Sequence, residues 1–174
     1  MHASLFDLQR DLLAMLDPRP AGGAIFFDPT DAFIDWLIAY ADGRLIIELG
    51  PGEGWLLHRL ASAGKAMLMG IEIMPRVGRY ENLVRTFDVP RCIMADSAVG
   101  HPLLDESGAL VIVARPDHSG WVEAMLEARE GSAEVLYVGL PKNLSRDLPN
   151  TLFETIQIPG PAGREGEIVV RIEP

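Results

Sequence analysis

The chain has 174 residues, 48% of them hydrophobic and 23% charged, which argues against intrinsic disorder and allows one domain with a sizeable core. Its formal net charge of −10 disfavours nonspecific nucleic-acid binding, although a local patch could still hold an RNA or DNA substrate. A single cysteine excludes an internal disulfide and is typical of a reducing compartment.

Targeting and metal-binding patterns are not apparent in the sequence. No run has the pattern of a signal peptide or the length of a membrane span, so we expect a cytoplasmic protein without a membrane partner. Asp117-His118 could suggest metal ligation, but no second cluster of His, Cys or Asp residues has ligand spacing, and we therefore expect no metal site.

The first part of the chain is predicted to contain two helices. Leucines recur at helical spacing over residues 4–16, and that helix should end before Asp17-Pro18. After a Gly/Pro-containing connection, Asp28-Pro29-Thr30-Asp31 supplies the cap and first-turn chemistry for a second helix, which should run through Ala41.

From residue 45 onward, strand-like runs alternate with helical segments. Five runs are predicted strands: Leu45–Leu49, Ala66–Ile73, Arg91–Ala95, Ala109–Ala114 and Glu134–Gly139. Residues 54–63, 76–87 and 119–130 between them have helical patterns, with Ser119 as a candidate cap of the third. This β-α alternation predicts right-handed crossovers and an open, doubly wound α/β sheet.

The C-terminal part breaks this alternation. Residues 152–158 and 166–173 are predicted strands, and the connection Pro159–Gly163 is too short for a crossover helix. We therefore expect an antiparallel hairpin. The segment Pro141–Pro149 is short and bounded by prolines, and no appended substrate domain is apparent.

The run Glu48-Leu49-Gly50-Pro51-Gly52-Glu53-Gly54 joins the first of the five strands to a helix. Glycines permit positive φ and let the backbone approach a ligand closely. A dinucleotide fingerprint would need glycine where Trp55 stands, and the carboxylates of Glu48 and Glu53 would repel a pyrophosphate, which disfavours a nicotinamide oxidoreductase. A ligand with cationic groups suits this turn better. The alternative is a glycine-rich turn that binds nothing.

The same run resembles motif I of the class I S-adenosylmethionine-dependent methyltransferases, acidic-x-Gly-x-Gly-x-Gly. Their cofactor carries a sulfonium and an ammonium and has no phosphate. The resemblance implies that Glu48, Gly50, Pro51, Gly52 and Gly54 contact S-adenosylmethionine.

Five parallel strands followed by an antiparallel hairpin also resemble this fold, in which the last strand inserts between its two predecessors. The resemblance covers roughly residues 30–174. It implies a methyltransferase-like three-layer sandwich with a doubly wound, seven-stranded, mostly parallel sheet of order 3-2-1-4-5-7-6. Residues 1–29 would then be an N-terminal helix and connection that precede the domain.

Acidic residues lie at the ends of the next two strands as well. Glu72 lies 22 residues after Gly50, where a carboxylate can accept hydrogen bonds from both ribose hydroxyls, and Ile73 follows it. In the resembling family, an acid after the third strand accepts a hydrogen bond from the adenine amino group and the next N–H contacts the ring, which implies Asp96 and Ser97. The alternatives are a solvated strand-end glutamate and an ordinary turn aspartate.

The turn Arg115–Gly120 follows the fourth strand, where methyltransferases often place substrate-orienting or catalytic groups. His118 could act as a general base and Asp117 could orient it or bind the acceptor. Arg115 could instead hold an anionic acceptor. The alternative is a turn histidine without a catalytic part. The turn does not match the Asn/Asp-Pro-Pro-aromatic tetrad of amino-group DNA methyltransferases.

The sequence therefore predicts an S-adenosylmethionine-dependent methyltransferase. Because little surface is left for a large acceptor, either the acceptor is a small molecule, or a protein partner or the second subunit of a homodimer completes the site. The alternative is a non-catalytic nucleoside-binding or interaction protein of the same fold.

Overall fold

The computed structural model describes residues 27–52, 54–65, 67–72, 92–94, 108–116, 120–129, 133–148 and 151–172. The helices predicted over 4–16 and 76–87 lie outside these residues. The division of the chain at residues 29 and 30 stays a prediction.

The described strands form one mixed sheet in the order β3-β2-β1-β4-β5-β7-β6, the order that the resemblance implies. β1 to β5 are parallel, and β7 runs antiparallel to both β5 and β6. The strands are β1 (Ile46–Leu49), β2 (Leu68–Glu72), β3 (Cys92–Met94), β4 (Leu110–Ala114), β5 (Glu134–Gly139), β6 (Phe153–Ile156) and β7 (Ile168–Ile172). The predicted α/β class with a mixed sheet is confirmed, and every predicted strand run overlaps one of these strands.

Helices cover both faces of the sheet. They are α1 (Asp31–Ala41), α2 (Trp55–Ser62), α3 (Trp121–Ala128) and α4 (Pro141–Asp147). Since neighbouring strand residues point to opposite faces, Ile46 packs with apolar residues of α1 and α2, whereas Ile47 packs with those of α3 and α4. The described elements therefore form three layers with a core on each side of the sheet.

The helix starts follow the local sequence in different ways. The hydroxyl of Thr30 accepts the backbone N–H of Phe33 at 3.1 Å, so the predicted cap of α1 is confirmed. The prediction of Ser119 as the cap of α3 is wrong, because Gly120 takes that place with a φ of 81°. α4 was not predicted, and Pro141 opens it with a ring that presets the helical φ.

The carboxyl ends of the parallel strands lie at one edge of the sheet, called here the carboxyl edge. The 157–167 connection between β6 and β7 lies at this edge too, because Ile168 pairs with Gly139 at the end of β5. β1 pairs with β2 on one side and with β4 on the other. The order of the strands along the chain therefore reverses its direction across the sheet at β1, which makes this a topological switch point. A crevice at such a switch point is where open α/β sheets hold their ligands.

Candidate functional site

The glycine turn is anchored to β1 and β2 in a conformation that favours glycine. The φ angles of Gly50, Gly52 and Gly54 are 63°, 58° and 76°. The N–H of Gly50 donates to the carbonyl of Ile71 at 2.8 Å, and the N–H of Gly54 donates to the carbonyl of Pro51 at 2.8 Å. A side chain at any of these glycines would cost about 1–2 kcal/mol in backbone strain. The turn therefore places three glycines of positive φ at the switch point.

Glu48 lies in the sheet two residues before the first glycine. It is 4% exposed and pairs with Gly70 of β2 and Ile112 of β4. Burying a carboxyl group so deeply is costly unless a positively charged or hydrogen-bond-donating group lies beside it. The edge beside the glycine turn consequently suits a ligand that carries positive charge.

The structure brings only part of the predicted cofactor set together. Glu72 is the last residue of β2, as predicted, and its backbone pairs with Met94 of β3. The glycine turn, Glu48 and the backbone of Glu72 thus share the carboxyl edge. Ile73, Asp96 and Ser97 lie outside the described residues, and so does the side chain of Glu72. Their roles stay predictions.

Two tryptophans border the glycine turn, and sequence reasoning missed both. A Cβ built on Gly50 would lie 4.0 Å from Cζ2 of Trp121, at the start of α3. Trp55 opens α2 directly after Gly54, and its indole Nε1–H donates to Oδ1 of Asp28 at 2.8 Å. Each tryptophan directly follows a glycine at the start of a helix, and this pattern could have been recognised in the sequence.

His58 packs on the ring of Trp55, with the ring centroids 5.3 Å apart. Burial lowers the pKa of His58, and the charge of Arg59 lowers it further. The imidazole is therefore neutral at pH 7 and is part of the packing around Trp55.

Arg115 follows β4 with a φ of 47°, which is uncommon for a residue other than glycine. Its backbone N–H donates to the carbonyl of Val138 at 2.9 Å, its Nε donates to the carboxylate of Glu167, and its guanidinium lies 5.3 Å from the ring centroid of Phe27. Because Glu167 is itself buried, these contacts hold the guanidinium against groups of the protein. They argue against a role for Arg115 in holding an anionic acceptor.

The predicted catalytic residues Asp117 and His118 lie outside the described residues. Their neighbours on either side, Arg115-Pro116 and Gly120, are at the carboxyl edge next to the glycine turn. The assignment of a general base to this turn stays a prediction.

No protein-family model and no curated protein matches the chain. Among solved structures, the chain is similar to an S-adenosylmethionine-dependent methyltransferase from Aquifex aeolicus, at 13% identity over 94% of this chain and 98% of that one, with a TM-score of 0.54. It is similar to precorrin-6y C5,15-methyltransferase from Geobacter metallireducens, at 8% identity over 85% and 94% of the two chains, with a TM-score of 0.51.

A third similar structure is the tRNA (uracil-54, C5)-methyltransferase of Pyrococcus abyssi in complex with S-adenosylhomocysteine, at 19% identity and a TM-score of 0.52. The match covers 81% of this chain but only 38% of that one. Together these structures show that the chain has the Rossmann-like fold of class I methyltransferases. The resemblance predicted from the sequence is thereby confirmed at the level of the fold.

Within the described ranges, no helix has the length and apolar character needed to cross a bilayer.

Proposed function

We propose that this protein is an S-adenosylmethionine-dependent methyltransferase. The observation that carries the proposal is the turn with three positive-φ glycines next to the buried Glu48, at the switch point of a methyltransferase fold. Glycines, which lack a Cβ atom, suit close approach of a ligand, and a buried carboxylate suits a cation. S-adenosylmethionine meets both requirements, whereas NAD brings a pyrophosphate to an acidic edge.

The cofactor set in this proposal has three parts, one after each of the first three strands. Glu48, Gly50, Pro51, Gly52 and Gly54 hold the part of the cofactor that carries the sulfonium and the amino acid group. Glu72 and Ile73 bind the ribose. Asp96 and Ser97 bind the adenine. When bound, S-adenosylmethionine supplies an electrophilic methyl group.

The acceptor side consists of the turn after β4. In this proposal His118 takes the proton of the attacking N, O or S atom, and Asp117 orients the imidazole or binds the acceptor. Arg115 keeps the start of this turn in place through its contacts with Glu167 and Phe27. The protein thus needs only to align the acceptor and remove a proton.

We propose a small-molecule acceptor, or a protein partner or second subunit that completes the site. The formal charge of −10 disfavours a nucleic acid held by long-range electrostatic attraction. Among proteins of similar fold, the Pyrococcus abyssi enzyme acts on tRNA. A tRNA acceptor would therefore be the outcome that most changes this part of the proposal.

Calorimetry with S-adenosylmethionine, S-adenosylhomocysteine and NAD tests the cofactor. We expect heat from the two sulfur nucleosides and none from NAD. Mass spectrometry of the natively purified protein should also detect a co-purified sulfur nucleoside. Binding of NAD alone would overturn the proposal.

Methyl transfer is tested with radiolabelled S-adenosylmethionine and fractionated small molecules, proteins and RNA. Once an acceptor is found, His118→Ala should lower turnover about 10²–10⁴-fold while the affinity for S-adenosylhomocysteine stays unchanged. Full activity of the Asp117→Ala/His118→Ala double variant would remove both residues from the mechanism. Cofactor binding without transfer to any fraction would favour a non-catalytic binding protein.

A further inference from the structure

Residues 27–30, which precede α1, contact both sides of the candidate site, and we call them the strap. On the cofactor side, Asp28 accepts the indole N–H of Trp55 at 2.8 Å, and Trp55 directly follows Gly54 of the glycine turn. The carboxylate of Asp28 also lies 3.9 Å from Arg59 of α2. The strap is therefore attached to the helix that the glycine turn opens.

Through other contacts, the strap holds the 157–167 connection. The backbone N–H of Thr30 donates to the carbonyl of Ala162 at 2.8 Å, and its hydroxyl donates to the carbonyl of Pro161 at 2.9 Å. A Cβ at Gly163 would lie 2.6 Å from the carbonyl oxygen of Asp28, a distance that only glycine avoids. The backbones of the two segments are thus in direct contact.

The strap also contacts the turn after β4, since the ring of Phe27 stacks on the guanidinium of Arg115. Arg115 is bonded in turn to Glu167 at the end of the 157–167 connection. A continuous series of contacts therefore leads from the glycine turn through the strap to Arg115 and the 157–167 connection, which we call the acceptor wall.

We propose that Trp55 and Asp28 are positioning residues that couple occupation of the glycine turn to the order of the strap and of the 157–167 connection. The inference rests on the proposed function, because it takes the ligand of the glycine turn to be S-adenosylmethionine or its product. Binding energy at the turn then contributes to the order of the acceptor wall, and by linkage an ordered wall raises the affinity for the cofactor.

The bond between Trp55 and Asp28 suits such a coupling. The side chain of Asp28 is 62% exposed, so water competes for its oxygen and the bond can form or break without a large cost. Thr30 and Gly163, in contrast, are in tight backbone contact with their neighbours. We therefore expect that binding or release of the ligand first changes the hydrogen bond between Trp55 and Asp28.

Amide hydrogen exchange with and without S-adenosylhomocysteine tests the inference. In the wild type, the ligand should slow exchange of the amides in the strap and in residues 162–167. Asp28→Ala and Trp55→Phe should abolish this protection and weaken S-adenosylhomocysteine binding about two- to tenfold, the range of one hydrogen bond. Asp28→Asn keeps the accepting oxygen and should retain the protection.

Asp31→Asn is the matched control, because Asp31 bonds to Arg59 at 2.5 Å on the same surface but makes no bond to Trp55. It should behave as the wild type does. Ligand-induced protection that persists in both Asp28→Ala and Trp55→Phe, with unchanged affinity, would overturn the coupling while the proposed function stands. If the wild type binds no sulfur nucleoside, the proposed function fails and this inference fails with it. Circular dichroism confirms that each variant is folded.

Discussion

Arg115 and Glu167 form an ion pair at the carboxyl edge across 52 residues of sequence. The side chain of Glu167 is 1% exposed and that of Arg115 is 17% exposed. The pair joins the end of β4 to the start of β7. Arg115 has a left-handed φ of 47° at this place.

Glu167→Gln should lower the free energy of unfolding by about 2–3 kcal/mol, because it leaves a largely buried guanidinium without its counter-charge. Urea unfolding at pH 7 measures the change. The matched control is Glu154→Gln, which removes an ion pair to Arg171 in which both side chains are about half exposed. That variant should unfold as the wild type does, since water screens the pair. Equal destabilisation by both variants would show that the buried ion pair of Glu167 stabilises the fold no more than the exposed ion pair of Glu154 does.

Gly50→Ala should lower both the stability and the affinity for S-adenosylhomocysteine. Its φ of 63° costs an alanine about 1–2 kcal/mol, and the new Cβ stands where the ligand should approach. Gly64→Ala is the control, because Gly64 also has a positive φ and open space around the position of a Cβ. Gly64 lies after the end of α2 and is not part of the glycine turn. The two variants should lose similar stability, but only Gly50→Ala should lose binding in calorimetry. Loss of binding in both would mean that general destabilisation is responsible.

Glu72→Ala should weaken S-adenosylhomocysteine binding more than it weakens the fold. Loss of charge-assisted hydrogen bonds to the ribose corresponds to about 1.5–3 kcal/mol, or roughly a ten- to a hundredfold lower affinity. Calorimetry measures the affinity and thermal unfolding measures the stability. Normal binding by a folded variant would show that Glu72 does not bind the ribose.

The stability should fall on acidification in a way that depends on Glu134. Burial alone would raise the pKa of Glu134, but hydrogen bonds from Arg44 and Tyr40 outweigh it and lower the pKa below its usual value of 4.5. A lowered pKa contributes stability that is present above about pH 4.5 and is lost as the pH falls through the folded-state pKa. Urea unfolding between pH 7 and 3 should therefore show a smaller acid loss in Glu134→Gln than in the wild type. Glu165→Gln removes an exposed carboxyl and should leave the acid loss unchanged.

Much of the fold was predictable because its signals are local. The apolar runs at Ile46–Leu49 and Leu110–Ala114 are typical of strands covered on both faces, and Thr30 is an ordinary helix cap. Ser119 was the wrong cap because a glycine with positive φ can start a helix without a side-chain bond. Helix α4 was missed because seven residues between prolines carry too little periodicity to stand out.

The candidate site divides in the same way. The glycine turn could be predicted from the sequence, because positive φ at Gly50, Gly52 and Gly54 is a local backbone requirement that shows in residue type. The hydrogen bond from Trp55 to Asp28, 27 residues away, and the ion pair of Arg115 with Glu167 join distant parts of the chain and could not be predicted. The contact of Arg115 with Glu167 depends on β7 running antiparallel to β5, which returns the 157–167 connection to the carboxyl edge. No pattern of neighbouring residues in the sequence indicates which distant side chains will meet there.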